Sequence, residues 1–93
     1  MGNAEESVER VNALISMFSN YKEDDIDKIV FDLVYELKKI REIKGMSQKQ
    51  LAEKADLSQT AISRFETMAY KPSLHMLLKI VMALDCKLIL DAR

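Results

Sequence analysis

Two helix-start signals placed eleven residues apart, at Ser47 and Ser58, constrain this 93-residue chain more than any other feature of it. Ser47 is a strong N-cap, Gln50 three residues on completes a capping box, and Met46 stands where it can staple onto Leu51. Ser58 is a second N-cap, with Leu57 and Ile62 placed as its staple. The spacing predicts one helix from the Ser47 cap to Lys54 or Ala55 and another from the Ser58 cap to Glu66 or Thr67. Helices of about two turns do not hold alone in water, so each must bury its apolar side against a neighbour. Gly45, ahead of the pair, closes the preceding helix, because glycine reaches the left-handed conformation without steric cost. Asp56 sits in the turn between them, where Asp tolerates that conformation better than most non-glycine residues.

The flanking segments also read as helical. From Asp24 to Lys44, Ile26, Val30, Leu33, Leu37 and Ile40 share one face, with acids in the first turn and bases in the last, the order that suits the helix dipole. Pro72 and Ser73 open a further helix, lined by Leu74, Leu77, Leu78, Val81 and Leu84. Ahead of them all, Val8, Val11, Leu14, Ile15 and Phe18 draw an apolar stripe from Ala4 to Ser19, and Asn20 and Tyr21 interrupt it. The tail Cys86 to Leu90 is short, aliphatic and bounded by Asp85 and Asp91, which predicts a strand. The expected fold class is all-α, with an N-terminal helical extension over 1–22, a helical domain over 23–85 and a C-terminal β-strand segment over 86–93.

Composition narrows the chemistry. A chain of 93 residues supports one core and has no room for a second, catalytic domain. Two Gly and one Pro agree with a helical fold, and no apolar run approaches the roughly 20 residues that cross a bilayer. The N-terminus is acidic where a secretory signal would be basic and then apolar, so the protein is expected in the cytoplasm. Cys86 is the only cysteine and His75 the only histidine. Neither an intrachain disulfide, a zinc cage nor a nucleophile with its base can be assembled from them, so no enzyme, cofactor or metal is expected. The net charge of −1 conceals an asymmetry: residues 1–36 hold three bases against nine acids, a balance of −6, and residues 37–93 hold eleven against six, a balance of +5. Lys38, Lys39, Arg41, Lys44, Lys49, Lys54, Arg64 and Lys71 are the cations available to phosphates.

The pair of short helices therefore reads as a helix-turn-helix, in which the first helix crosses the DNA backbone and the second enters the major groove. Leu51, Ala52, Ala55, Leu57, Ile62 and Phe65 supply the small and aliphatic residues that a close crossing needs. With Ile62 and Phe65 buried, a rotation of about 100° per residue places Thr60, Ser63, Arg64 and Thr67 opposite them, and Gln59 flanks these at the exposed N-terminus. Gln can bond adenine through two hydrogen bonds and Arg can do the same with guanine.

From Leu37 to Leu84 the chain resembles the Cro/repressor type of helix-turn-helix, the XRE family, through SQKQLA, LSQTAISRFE and PSLHMLLKIVMAL at the family's spacings. The resemblance implies a repressor-like helical bundle that binds palindromic operator DNA as a two-fold homodimer, with Gln48, Gln59, Thr60, Ser63 and Arg64 at base or phosphate contacts. Lys49, Thr67 and Lys71 join them as further candidates. It also implies an ion pair between Arg41, on the first helix of the motif region, and Glu66, at the end of the recognition helix. Where the family commonly has Gly, this chain has Asp56 in the turn and Met68 after the recognition helix, so the loop from Thr67 to Lys71 is expected to end that helix differently.

The tail DCKLIL resembles the closing strand of HigA- and HipB-type antitoxins, which implies pairing between subunits through Cys86, Leu88, Ile89 and Leu90; docking on the chain's own helices is the alternative. Phe31 and Tyr35 point away from the Leu33/Leu37 stripe and call for a cover, either the N-terminal helix or a basic toxin partner. A membrane-surface role fits poorly, because Glu5, Glu6 and Glu9 would face anionic lipid. The functions compatible with these residues are a DNA-binding repressor, a repressor that is also an antitoxin, and a protein-interaction module of the same fold without DNA binding.

Overall fold

Apolar residues at Val30, Leu33, Val34, Leu37 and Ile40 form the inner face of α1, Ile26–Ile43, in the computed structural model, which describes residues 25–90. Lys44 and Gly45 end this helix: Gly45 has φ 69°, and the amides of Met46 and Gly45 return to the carbonyls of Arg41 and Glu42 at 3.1 and 2.9 Å. That pair of reversed hydrogen bonds satisfies carbonyls the helix would otherwise leave open. Met46 and Ser47 then lead into α2, Gln48–Ala55. Its capping box is complete, with the Gln50 amide donating to Ser47 Oγ at 3.0 Å and the Ser47 amide to Gln50 Oε1 at 2.8 Å.

α3, Gln59–Glu66, starts from Ser58, whose Oγ accepts from the Ala61 amide at 3.0 Å. α4, Leu74–Ala83, starts in the same way from Ser73 and the Met76 amide at 3.1 Å. Each of the four helices closes with the arrangement seen after α1. Asp56, Met68 and Asp85 take φ values of 55°, 55° and 57°, and the amides of Leu57, Ala69 and Cys86 reach back to Ala52, Arg64 and Val81. The expectation that Met68 would force a different ending is therefore corrected. Met68 adopts the glycine-like conformation itself, and its side chain packs against the core, where burial offsets the cost of a left-handed backbone, about 1–2 kcal/mol for a residue with a Cβ.

The core runs through all four helices. Leu37 and Ile40 from α1, Leu51 from α2, Ile62 and Phe65 from α3, and Ile80 and Val81 from α4 are almost wholly buried, and Leu84 and Cys86 close it from below α4. α2 packs on both α3 and α4, and α1 packs on α3, so the short helices borrow stability from the longer ones. Ala52 and Ala55, both buried, permit this approach.

The predicted C-terminal strand is absent among the described residues. Residues 86–90 have no regular secondary structure, because a strand is defined by a ladder and no described segment runs beside them. Cys86 is instead inside the core and Leu88 leans against it, while Ile89 and Leu90 are exposed. The predicted helix from Ala4 to Ser19 lies outside the described residues.

Candidate nucleic-acid interface

The apolar side of α3 is sealed, and its polar side is open. Ile62 and Phe65 are 0% and 1% exposed, whereas Gln59, Thr60, Arg64 and Thr67 are solvent-exposed and Ser63 is half-buried. The Ser58 cap leaves the first turn of α3 standing out with Gln59 and Thr60 at its tip. A short helix with donors and acceptors on one exposed side meets the steric demand of a major groove about 12 Å wide.

A single buried network sets the angle of this helix. Arg41 donates from Nε to Glu66 Oε2 at 2.6 Å, from Nη2 to Glu66 Oε1 at 3.0 Å, and from Nη1 to the Met46 carbonyl at 2.6 Å. Gln48 Nε2 donates to Glu66 Oε1 at 3.0 Å. The side chains of Arg41 and Glu66 are 10% and 2% exposed, so the two charges are largely removed from water and are tolerable only because each is met by the other. The network joins α1, the α1–α2 linker, α2 and the last residue of α3. It withdraws Arg41 from the cations available at the surface, and it engages Gln48, whose amide donor holds a protein carboxylate as well as standing at the N-terminus of α2.

The other candidate residues fall into distinct situations. Lys49 is exposed beside Gln48 at the start of α2. Thr67 directs its hydroxyl back to the carbonyls of Ser63 and Arg64, at 3.1 and 3.2 Å, so its donor is occupied and only its lone pairs face outward. Lys71 pairs with Asp27 of α1 at 2.9 Å, but both side chains are more than two-thirds exposed, and a surface pair of this kind is readily exchanged. Lys54 pairs with Asp85, beyond the end of α4, at 3.1 Å. Lys44 lies close enough to Cys86 to act on the thiol, although burial is the larger influence and raises the thiol pKa.

Sequence reading missed two members of this frame. The Gln48–Glu66 bond joins residues eighteen apart, and no local pattern marks it. Lys79 Nζ donates to the Asp56 carbonyl at 3.4 Å, a long contact that ties α4 to the turn before α3. Neither lies on a helical spacing that could have flagged it.

A family model described as helix-turn-helix matches residues 37–90, more than half of the chain and all of α2, α3 and α4. No curated protein and no solved structure gives a significant match.

Proposed function

Since the chain belongs to the helix-turn-helix family of Cro/repressor, XRE type, a family of DNA-binding transcriptional regulators, we propose that it is a sequence-specific repressor that binds a palindromic operator as a homodimer in the cytoplasm. The observation that carries this reading is the open polar side of α3, held at a defined angle by the Arg41–Glu66–Gln48 network. Gln59, Thr60, Ser63 and Arg64 read base edges, and Gln48, Lys49, Thr67 and Lys71 contact the backbone or flank it. Thr67 then acts as an acceptor, because its hydrogen is already committed.

The homodimer is supported by apolar surface on the far side of α4 and in the tail. Leu74 and Met82 are 67% and 73% exposed, Leu78 is also exposed, and the three recur every fourth residue along one line of the helix. Ile89 and Leu90 add to the apolar surface in the tail. A protein-interaction role without DNA remains the competing function. Among the described residues no helix is long and apolar enough to cross a membrane.

Selection of bound sites from random duplex DNA, followed by a salt titration on the selected site, tests the reading. A dimer neutralising several phosphates loses affinity by a factor of roughly 10³–10⁵ between 50 and 200 mM salt. The selected site should show two half-sites about 34 Å apart. No selected consensus and a flat salt response would establish the interaction-module function instead.

A further inference from the structure

The bundle leaves a second apolar face uncovered on α1. Phe31 and Tyr35 are 54% and 53% exposed, one turn apart on the side of the helix away from the core. They border a cleft of about 310 Å³, which Val34, Lys38, Glu66, Thr67 and Met68 complete, so its far wall is the C-terminal turn of α3; the Glu66 carboxylate there is already held by Arg41 and Gln48. Lys39 sits over the Tyr35 ring at 5.3 Å from its centre. The face therefore combines two aromatic rings with two lysines.

We propose that residues 4–19 of the same chain dock along Phe31 and Tyr35 and into this cleft. This segment carries the complementary pattern: an apolar stripe of Val8, Val11, Ile15 and Phe18, and acids at Glu5, Glu6 and Glu9 to meet Lys38 and Lys39. The connection is short enough and starts in the right place. Seven residues from Phe18 to Asp25 span at most about 25 Å, and Tyr35 lies about 15 Å along α1 from Asp25, so the segment reaches the cleft without crossing the bundle. Tethering also decides between occupants, since a linked segment meets the cleft at an effective concentration near the millimolar range and a partner in trans must displace it. The assignment does not rest on the DNA-binding reading, although the cleft shares Thr67 with the proposed DNA contacts.

A double-substitution cycle in the full chain tests it. Phe31→Ala and Ile15→Ser are each introduced alone and together, and the urea midpoint is measured at several protein concentrations. Phe31 lies outside the buried core of α1–α4, so Phe31→Ala leaves the bundle folded. Docking predicts that each single substitution lowers the midpoint and that the double variant falls no further than the weaker single. In the same samples, Ile15→Ser should shift the Tyr35 ring and Thr67 amide resonances. An Ile15→Ser variant with an unchanged midpoint, or additive effects in the double variant, overturns the proposal. A midpoint loss from Phe31→Ala that depends on protein concentration, with Ile15→Ser silent, would assign the face to a second copy.

Discussion

At the scale of single residues, Arg41 carries more of the fold than any other charged side chain in the described region. It is 8% exposed and spends three donors on two acceptor groups, the Glu66 carboxylate and the Met46 carbonyl. Removing it leaves a carboxylate buried without its counter-charge, so Arg41→Ala should lower stability by about 3–5 kcal/mol, measured by urea unfolding. Replacing both partners, with Arg41→Met and Glu66→Leu together, should recover most of that loss, because the desolvation cost vanishes along with the attraction. Met68 offers a test of backbone strain at nearly constant volume. At φ 55° a β-branched side chain is far less tolerated than an unbranched one, and Met68→Ile should cost about 1–2 kcal/mol by the same measurement. Cys86 makes stability depend on alkaline pH. Burial raises its thiol above the ordinary value of 9.0, so the folded chain keeps a proton that the unfolded chain releases. Its contribution is complete below 9.0 and is lost as pH rises through the folded value, and Cys86→Ala should flatten that part of the stability profile.

At the scale of elements, α3 depends on its first turn. Ser58 Oγ satisfies the Ala61 amide, one of the donors that a helix start leaves open. Ser58→Ala should therefore cost about 1 kcal/mol of stability, and it should also weaken operator binding, since Gln59 and Thr60 project from the frayed turn. Base reading is separable from this. Arg64→Ala and Gln59→Ala change exposed residues that the core does not use, so thermal unfolding should barely move while discrimination between operator variants falls by about 1–3 kcal/mol per lost two-bond contact. If both variants select the parent's sites, another element reads the bases. The caps also explain why helices of eight residues persist here: each is capped at its N-terminus, reversed at its C-terminus and packed on a neighbour.

At the scale of the whole molecule, the proposed dimer rests on the exposed apolar surface of the tail and α4. Cys86 and Leu88 contribute to this chain's own core, so deleting the tail would damage the fold as well as any contact between subunits. Ile89→Ser with Leu90→Ser is the cleaner change, because those side chains are 43% and 87% exposed. If the proposed dimer forms through the tail, sedimentation should show that pair of substitutions shifting it toward monomer, with an accompanying loss of the two-half-site footprint. A variant that stays dimeric would move the contact to the Leu74, Leu78 and Met82 side of α4. The charge asymmetry acts at this scale too. Most bases lie in residues 37–93, which hold the helix-turn-helix, while most acids precede them, so that part of the chain is more positive than the net charge of −1 suggests.

Local chemistry was enough to place every described helix start after α1, because an N-cap is a contact between residues three apart and Ser47, Ser58 and Ser73 each make it. The buried side of α3 was equally legible, since Ile62 and Phe65 leave only one way to rotate an eight-residue helix. Features that depend on distant partners were not. Met68 and Asp85 take left-handed backbones with no glycine to announce them, because the surrounding packing and the returning amides of Ala69 and Cys86 offset a local cost. Gln48 was legible as a residue at the start of α2 but not as a ligand of Glu66, which tertiary packing brings to it from eighteen residues away. Residues 86–90 have a strand's composition without a strand's ladder, and whether a ladder forms depends on a second edge that composition cannot supply.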